Sequence, residues 1–71
     1  MRVNSRKIKS FGKKVKSARK QKSLTQEALA EMIGVSSTYI GFIEQGQRTP
    51  SIKTADKLAR VLGVNLSKLF D

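Results

Sequence analysis

The sequence predicts an all-α fold, a compact bundle of five helices. Three observations predict it. Apolar residues recur at steps of three and four, which is the period of one helix face. Glycines recur about nine to twelve residues after hydroxyl-bearing residues, as they do when each pair brackets a short helix. A chain of 71 residues is long enough for one modest hydrophobic core. Because it contains no cysteine, no disulfide supports that core.

The first predicted helix runs roughly from Lys7 to Gln21. Its apolar residues, Ile8, Phe11, Val15 and Ala18, form one stripe, and lysines occupy the other side. Because residues 1–9 carry Arg2, Arg6, Lys7 and Lys9 and no acid, we expect them to form a basic N-terminal arm that is loosely ordered on its own. Residues 10–71 then form the single domain.

Three further helices are each bracketed by a residue that can cap the start and a glycine that can close the end. The pairs are Thr25 with Gly34, Ser36 with Gly46, and Ser51 with Gly63. Pro50 is a stop before Ser51. A last short turn, Leu66 to Phe70, can start at Asn65 as its cap.

The predicted core consists of the apolar positions on these helices. They are Leu29, Met32, Ile33, Ile40, Ile43, Ile52, Ala55, Leu58, Ala59 and Leu62. Only Gly34 and Val35 separate the second helix from the cap of the third. A joint this short predicts that the two helices cross steeply.

The net charge of +10 is concentrated at the N-terminus. Residues 1–22 hold ten lysines and arginines and no acid, whereas the remainder holds five bases and five acids. A one-sided basic field of this kind suits a polyanion, whose condensed counterions are released on contact. The alternative is a solvated lysine-rich helix that only keeps the protein soluble.

Composition also excludes several functions. Without cysteine or histidine the chain has no disulfide, no thiolate or imidazole metal ligand and no histidine for acid–base catalysis. With five acids and no catalytic constellation, we expect no enzyme activity and no cofactor. No apolar run reaches the length of a membrane span or a signal-peptide core, so we expect a soluble, cytoplasmic protein with no membrane partner.

One segment resembles a known family. The stretch LTQEALAEMIGVSSTYIGFIEQG is similar to the lambda-repressor-like helix-turn-helix domains of phage repressors and of the xenobiotic-response-element type of bacterial regulators. The resemblance extends from about Phe11 to Phe70, and the helix-turn-helix motif covers about 26–45. It implies that Gln26 opens the first helix of the motif, that Ala30 lies at the helix crossing, and that Gly34 makes the turn. Val35, Ile40 and Ile43 would then be buried.

A helical wheel places the remaining residues of the third helix on one face. At about 100° per residue, Ser36, Ile40 and Ile43 fall on one side. The opposite side holds Ser37, Thr38, Gly41, Phe42 and Gln45. In the resembled fold this second face enters the DNA major groove.

The resemblance implies a role for each residue of that face. The hydroxyls of Ser37 and Thr38 would reach base edges or phosphate, although Ser37 could instead cap the helix. The absent side chain at Gly41 would let the helix sit deep, and Phe42 would offer its ring to a thymine methyl group. Such a face makes few base-specific hydrogen bonds, so it leaves open which sequence is read.

Other residues would position the protein on the DNA backbone. Gln26 is expected to bind a phosphate at a helix N-terminus. The loop that follows the third helix would run along the sugar-phosphate backbone, and the hydroxyl of Tyr39 would bind phosphate or its ring would only pack in the core. The loop residues are Gln47, Arg48 and Thr49. The resemblance also implies an ion pair between Arg19 and Glu44.

The sequence therefore predicts a transcriptional regulator, a repressor, that binds double-stranded DNA at the nucleoid. We expect a homodimer, because the apolar C-terminal segment can offer surface to a second copy; the segment consists of Val64, Leu66, Leu69 and Phe70. No effector domain follows Phe70, so we expect no small-molecule effector. The alternative is a protein-protein adaptor, such as an antitoxin or coactivator-like module, in which Gly41 is merely tolerated and Phe42 meets a partner protein.

Overall fold

The computed structural model describes residues 5–70, with side chains from Ile8 onward. This part of the chain contains five helices and no strand, so the predicted all-α fold is confirmed. The helices are α1 (Ser5–Gln21), α2 (Gln26–Ile33), α3 (Ser37–Glu44), α4 (Ile52–Leu62) and α5 (Leu66–Leu69). No helix of this part is both long enough and apolar enough to cross a bilayer.

Capping residues set the helix boundaries much as the sequence predicts. The hydroxyls of Thr25, Ser36 and Ser51 each accept a hydrogen bond from the backbone N–H three residues later. Asn65 stands at the N-cap of α5, but its side chain makes no capping bond. The predicted start of this turn is confirmed, but no side-chain hydrogen bond from Asn65 stabilises it.

The helix α1 begins earlier than the sequence predicts and ends at Gln21, as the sequence predicts. It begins at Ser5, so residues 5–9 of the predicted arm are helical; no proline or glycine interrupts the segment before Gly12. Residues 1–4 of that arm lie outside the described residues. At the other end, Ser23 has a φ of 56° and closes the helix, with the N–H of Leu24 donating to the carbonyl of Arg19 at 3.1 Å. Sequence reasoning missed this closure because it looked for a glycine.

The core lies where α1, α2, α3 and α4 meet, and α5 covers one end of it. Its buried side chains come from all five helices: Phe11, Val15, Leu29, Ala30, Ile33, Ile40, Ile43, Ala55, Leu58, Ala59, Leu62 and Leu69. The ring of Phe70 lies against that of Phe11, with 4.9 Å between centroids. The C-terminal residues are therefore packed onto α1.

Two predicted core residues are exposed. Met32 is 58% exposed, because the buried face of α2 is centred between Leu29, Ala30 and Ile33 and Met32 lies about 100° away from that centre. Ile52 is 71% exposed. It is the first residue of α4, and the buried residues of that helix begin at Ala55.

Candidate nucleic-acid interface

The connection between α2 and α3 is a tight left-handed turn. Gly34 has a φ of 79°, and the N–H groups of Gly34 and Val35 both donate to the carbonyl of Ala30 at 2.9 Å. Ser36 then caps α3. Only three residues separate the two helices, so the direction of α3 is fixed by the end of α2.

The two sides of α3 differ as the helical wheel predicts. Ile40 and Ile43 are fully buried, and Tyr39 is half-buried and packs against the core. On the other side Thr38, Phe42 and Gln45 are exposed, while Ser37 and Gly41 are half-buried. Because the hydroxyl of Ser36 occupies the cap, the alternative in which Ser37 caps the helix is wrong.

A buried ion pair joins α1 to the last turn of α3. The Nε of Arg19 donates to Oε2 of Glu44 at 2.7 Å, and its Nη2 donates to Oε1 at 3.1 Å. Its Nη1 donates to the carbonyl of Leu24 at 2.7 Å. The hydrogen bonds to Glu44 raise the pKa of the Arg19 guanidinium above its ordinary value, although burial opposes them. The structure thus contains the ion pair that the resemblance implies.

Gln26 extends this network to the start of α2. Its Nε2 donates to Oε1 of Glu44 at 3.0 Å. A Cβ atom built on Gly41 would lie 3.8 Å from Nε2 and 3.9 Å from Oε1 of the same amide. The amide of Gln26 therefore lies beside the outer face of α3, and Oε1 and one N–H of this amide have no partner among the described residues.

The loop after α3 is tied back to that helix by its backbone. The N–H groups of Gln47 and Arg48 donate to the carbonyl of Phe42 at 2.8 and 3.3 Å. The side chains of Gln47, Arg48 and Thr49 are exposed. Gly46, which precedes them, is in the left-handed conformation and lies against Lys9 of α1.

The sequence did not predict the contacts that arrange these residues. It predicts a phosphate contact for Gln26. It predicts neither the hydrogen bond of Gln26 to Glu44 nor its position beside Gly41, because these residues are far apart along the chain. Gly12 was also missed, although a glycine within the apolar period of a helix indicates a close approach of another backbone. Among the described residues, no group of three or more acidic side chains is placed to hold a metal ion.

Comparisons with known proteins agree with this geometry. The family model described as Helix-turn-helix matches residues 15–69. The control protein C.MunI from Mycoplasma sp is 42% identical over 69 residues, which is 96% of this chain and 92% of that protein.

Two solved structures are also similar. The restriction-modification controller protein C.AhdI from Aeromonas hydrophila has a TM-score of 0.83 and 36% identity, over 89% of this chain and 96% of that one. SinR, the master regulator for biofilm formation, in complex with DNA, has a TM-score of 0.80 and 35% identity, over 86% of this chain and 98% of that one; SinR comes from Bacillus subtilis. With the five helices of its described residues, the two-helix motif joined at Gly34 and this family match, the chain belongs to the helix-turn-helix family.

Proposed function

We propose that this chain is a sequence-specific transcriptional regulator that binds double-stranded DNA as a homodimer and reads the major groove with α3. The observation that carries the proposal is the two-sided character of α3. Its inner side is fixed by the buried Ile40 and Ile43, and its outer side presents Thr38, Phe42 and Gln45 to solvent. A rigidly held helix with a polar and aromatic outer face is what major-groove reading requires. Membership of the family supports the same function.

The buried polar network supports this function by holding α3 in place. Glu44 accepts hydrogen bonds from Arg19 of α1 and Gln26 of α2, so three helices meet at one carboxylate. The buried members of this network, Arg19 and Glu44, are joined by two hydrogen bonds, which hold them in one arrangement. The position of α3 relative to the start of α2 is therefore fixed before DNA arrives, which lowers the ordering cost of binding.

The outer face would read bases mainly by shape and apolar contact. Because Gly41 has no side chain, the middle of α3 could approach the bases closely. Phe42 would place its ring against a thymine methyl group. Ser37 and Thr38 lie in the first turn and would reach base edges or phosphate. Tyr39 is half-buried, and only its hydroxyl would reach the backbone of the DNA.

Phosphate contacts would come from the two ends of this face. The unpaired N–H of Gln26 lies at the N-terminus of α2, where amides and the helix dipole favour an anion. Arg48, with Gln47 and Thr49, is exposed on the loop after α3 and would bind the phosphates that border the groove. These contacts position the protein and carry no sequence information.

A narrower role follows from two of the relatives. C.MunI is named a control protein and C.AhdI a restriction-modification controller, and this chain spans 92% and 96% of their lengths. We therefore propose that the regulated genes encode a restriction-modification system and that the protein represses them by occupying promoter DNA. The test is where the recognised sequence occurs: it should lie upstream of genes for a restriction endonuclease or its methyltransferase.

The adaptor function is a second candidate because Phe42 is 37% exposed and Met32 is 58% exposed. Aromatic and methionine side chains are common in protein-protein interfaces. The two candidates differ in what Phe42 contacts, a base edge or an apolar pocket of a partner.

Selection of bound sequences from a pool of random duplexes tests the proposal. We expect the purified protein to enrich a consensus with two-fold symmetry, because two copies related by a dyad read the same half-site twice. Enrichment of a single asymmetric half-site would contradict the homodimer. Recovery of no consensus, with DNA bound equally at all sequences, would contradict sequence-specific reading and favour the adaptor.

A further inference from the structure

Four lysines form a continuous ridge along the exposed side of α1. The ridge consists of Lys9, Lys13, Lys16 and Lys20, all of them exposed. None of the four forms an ion pair within the described residues. The ion pairs found there join Arg19 to Glu44 and Arg60 to Asp56. At 1.5 Å per residue the ridge is about 16 Å long.

The spacing of the ridge lowers the stability of the helix that carries it. Lys9 and Lys13 are four residues apart, as are Lys16 and Lys20, and Lys13 and Lys16 are three apart. Like charges at these spacings are neighbours on a helix and repel each other. The first turn of α1 contains no acid that would complement the helix dipole. A surface that mixed both signs of charge would also keep the protein soluble and would avoid this repulsion, whereas bound phosphate groups would relieve it.

The surface beside the ridge has the composition of a phosphate site. Two shallow, open depressions lie along it. The first is lined by Lys9, Ser10, Lys13, Lys14 and Ser17. The second is lined by Lys13, Lys16, Ser17, Lys20 and Gln21. Together, the two linings consist of lysine, serine and glutamine residues, whose ammonium, hydroxyl and amide groups can donate hydrogen bonds to phosphate.

The ridge also adjoins the candidate DNA interface. Lys9 lies against Gly46, directly after α3: a Cβ atom on Gly46 would be 3.2 Å from the Cα of Lys9. On a helical wheel the ridge is next to the side of α1 that carries Gly12 and Arg19, the two residues that meet the end of α3. Gly46 directly precedes Gln47 and Arg48, so Lys9 lies beside the start of the loop that is expected to bind phosphate.

We propose that the lysine ridge of α1 is a second DNA-binding surface, which holds phosphate groups outside the groove read by α3. This inference rests on the proposed function. The occupant is double-stranded DNA, because one strand presents a phosphate about every 3.4 Å of axis and the ridge spans the length of about five of them. A protein interface is depleted in lysine, whereas lysine is the most frequent residue in the lining of both depressions.

The test compares two double variants that lose equal charge. Lys13→Gln/Lys16→Gln removes the middle of the ridge. The control, Lys57→Gln/Lys68→Gln, removes two exposed lysines from α4 and α5. Each protein is titrated by fluorescence anisotropy against a duplex carrying the selected operator and against a random duplex, at several salt concentrations. Thermal melting checks that each variant is folded.

We expect the ridge variant to lower the slope of log Kobs against log salt by about 1.8 per bound protomer, since each lost phosphate contact contributes about 0.9. If parent and variant converge at 1 M salt, affinity at 0.1 M falls about 60-fold for each bound protomer on both duplexes, and the preference for the operator does not change. The control should keep the parent slope.

Equal slopes for the ridge variant, the control and the parent would overturn the inference. Its failure can be distinguished from failure of the proposed function. If the parent did not prefer the operator, sequence-specific reading would be wrong, yet the slopes on the random duplex would still test the ridge.

Discussion

Gly12 of α1 lies directly against the backbone of Glu44 at the end of α3: a Cβ atom at position 12 would be 2.8 Å from the Glu44 carbonyl oxygen. The carbonyl oxygen of Ile43 would be closer still. Glycine weakens a helix interior by about 1 kcal/mol relative to alanine. Here that cost permits a backbone contact that no other residue allows, and it brings α1 close enough for Arg19 to reach Glu44.

Gly12→Ala should therefore destabilise the protein, although alanine is the better helix former. Because the added methyl group meets backbone atoms rather than a flexible side chain, we expect a loss of about 1–3 kcal/mol in the free energy of unfolding. Gly41→Ala is the matched control. Its Cβ would meet only the Gln26 amide at 3.8 Å, so it should stabilise by a few tenths to about 1 kcal/mol. Urea unfolding of both variants gives the comparison, and a loss at Gly41 as large as that at Gly12 would contradict the packing.

Removal of Arg19 should be among the most destabilising single changes. Arg19→Met leaves the Glu44 carboxylate buried without its cation, and we expect a loss of about 3–5 kcal/mol. The double variant Arg19→Met/Glu44→Leu removes both charges and should recover much of this loss. Unfolding of the parent, both single variants and the double variant completes a double-mutant cycle. If the loss of unfolding free energy in the double variant equalled the sum of the two single losses, Arg19 and Glu44 would not stabilise each other.

Gly41→Glu should separate folding from DNA binding. The position lies on the outer side of α3, away from Ile40 and Ile43, so the variant should melt at or above the parent temperature. Its carboxylate would project between the helix and the bases and be repelled by the phosphates, so operator binding should be lost. A variant that melts normally and binds operator as tightly as the parent would show that α3 is not the reading helix, and the adaptor function would then be favoured.

Phe42→Ala should affect specificity. A base contact discriminates between sequences, so we expect a loss of about 1–3 kcal/mol of binding free energy on the operator and much less on random DNA. Arg48→Ala is the control, because a phosphate contact should weaken binding to both duplexes about equally. The measurement is a titration of each variant against both duplexes at one salt concentration. If Phe42→Ala lost the same binding free energy on the two duplexes, Phe42 would not be a base-reading residue.

Assembly should be weak, because little of the C-terminal apolar segment remains available. Leu69 is buried, Val64 and Leu66 are half-buried, and Phe70 is 37% exposed while its ring packs on Phe11. We expect a dimer in the micromolar range or weaker, which the operator DNA stabilises by binding both copies. Sedimentation velocity with and without operator measures the fraction of dimer under each condition. A monomer under both conditions would contradict the two-fold arrangement.

Local chemistry determined most of the fold. The caps at Thr25, Ser36 and Ser51 depend on neighbouring residues, and so does the turn at Gly34, so the sequence was sufficient to place α2, α3 and α4 within about one residue. Periodicity likewise separated the two sides of α3, because one helix face repeats at fixed steps. It failed for Met32 and Ile52, since burial depends on where the neighbouring helices lie as well as on the residue's own helix.

The arrangement of the candidate site was decided by the tertiary structure. Arg19, Gln26 and Glu44 lie on three different helices, and only their packing brings two donors to one carboxylate and lays the Gln26 amide beside Gly41. The sequence by itself determined which residues face outward on α3 and that the basic charge is concentrated at the N-terminus. It could not determine that Gly12 meets the backbone of α3, because a contact between residues 32 positions apart depends on how two helices cross.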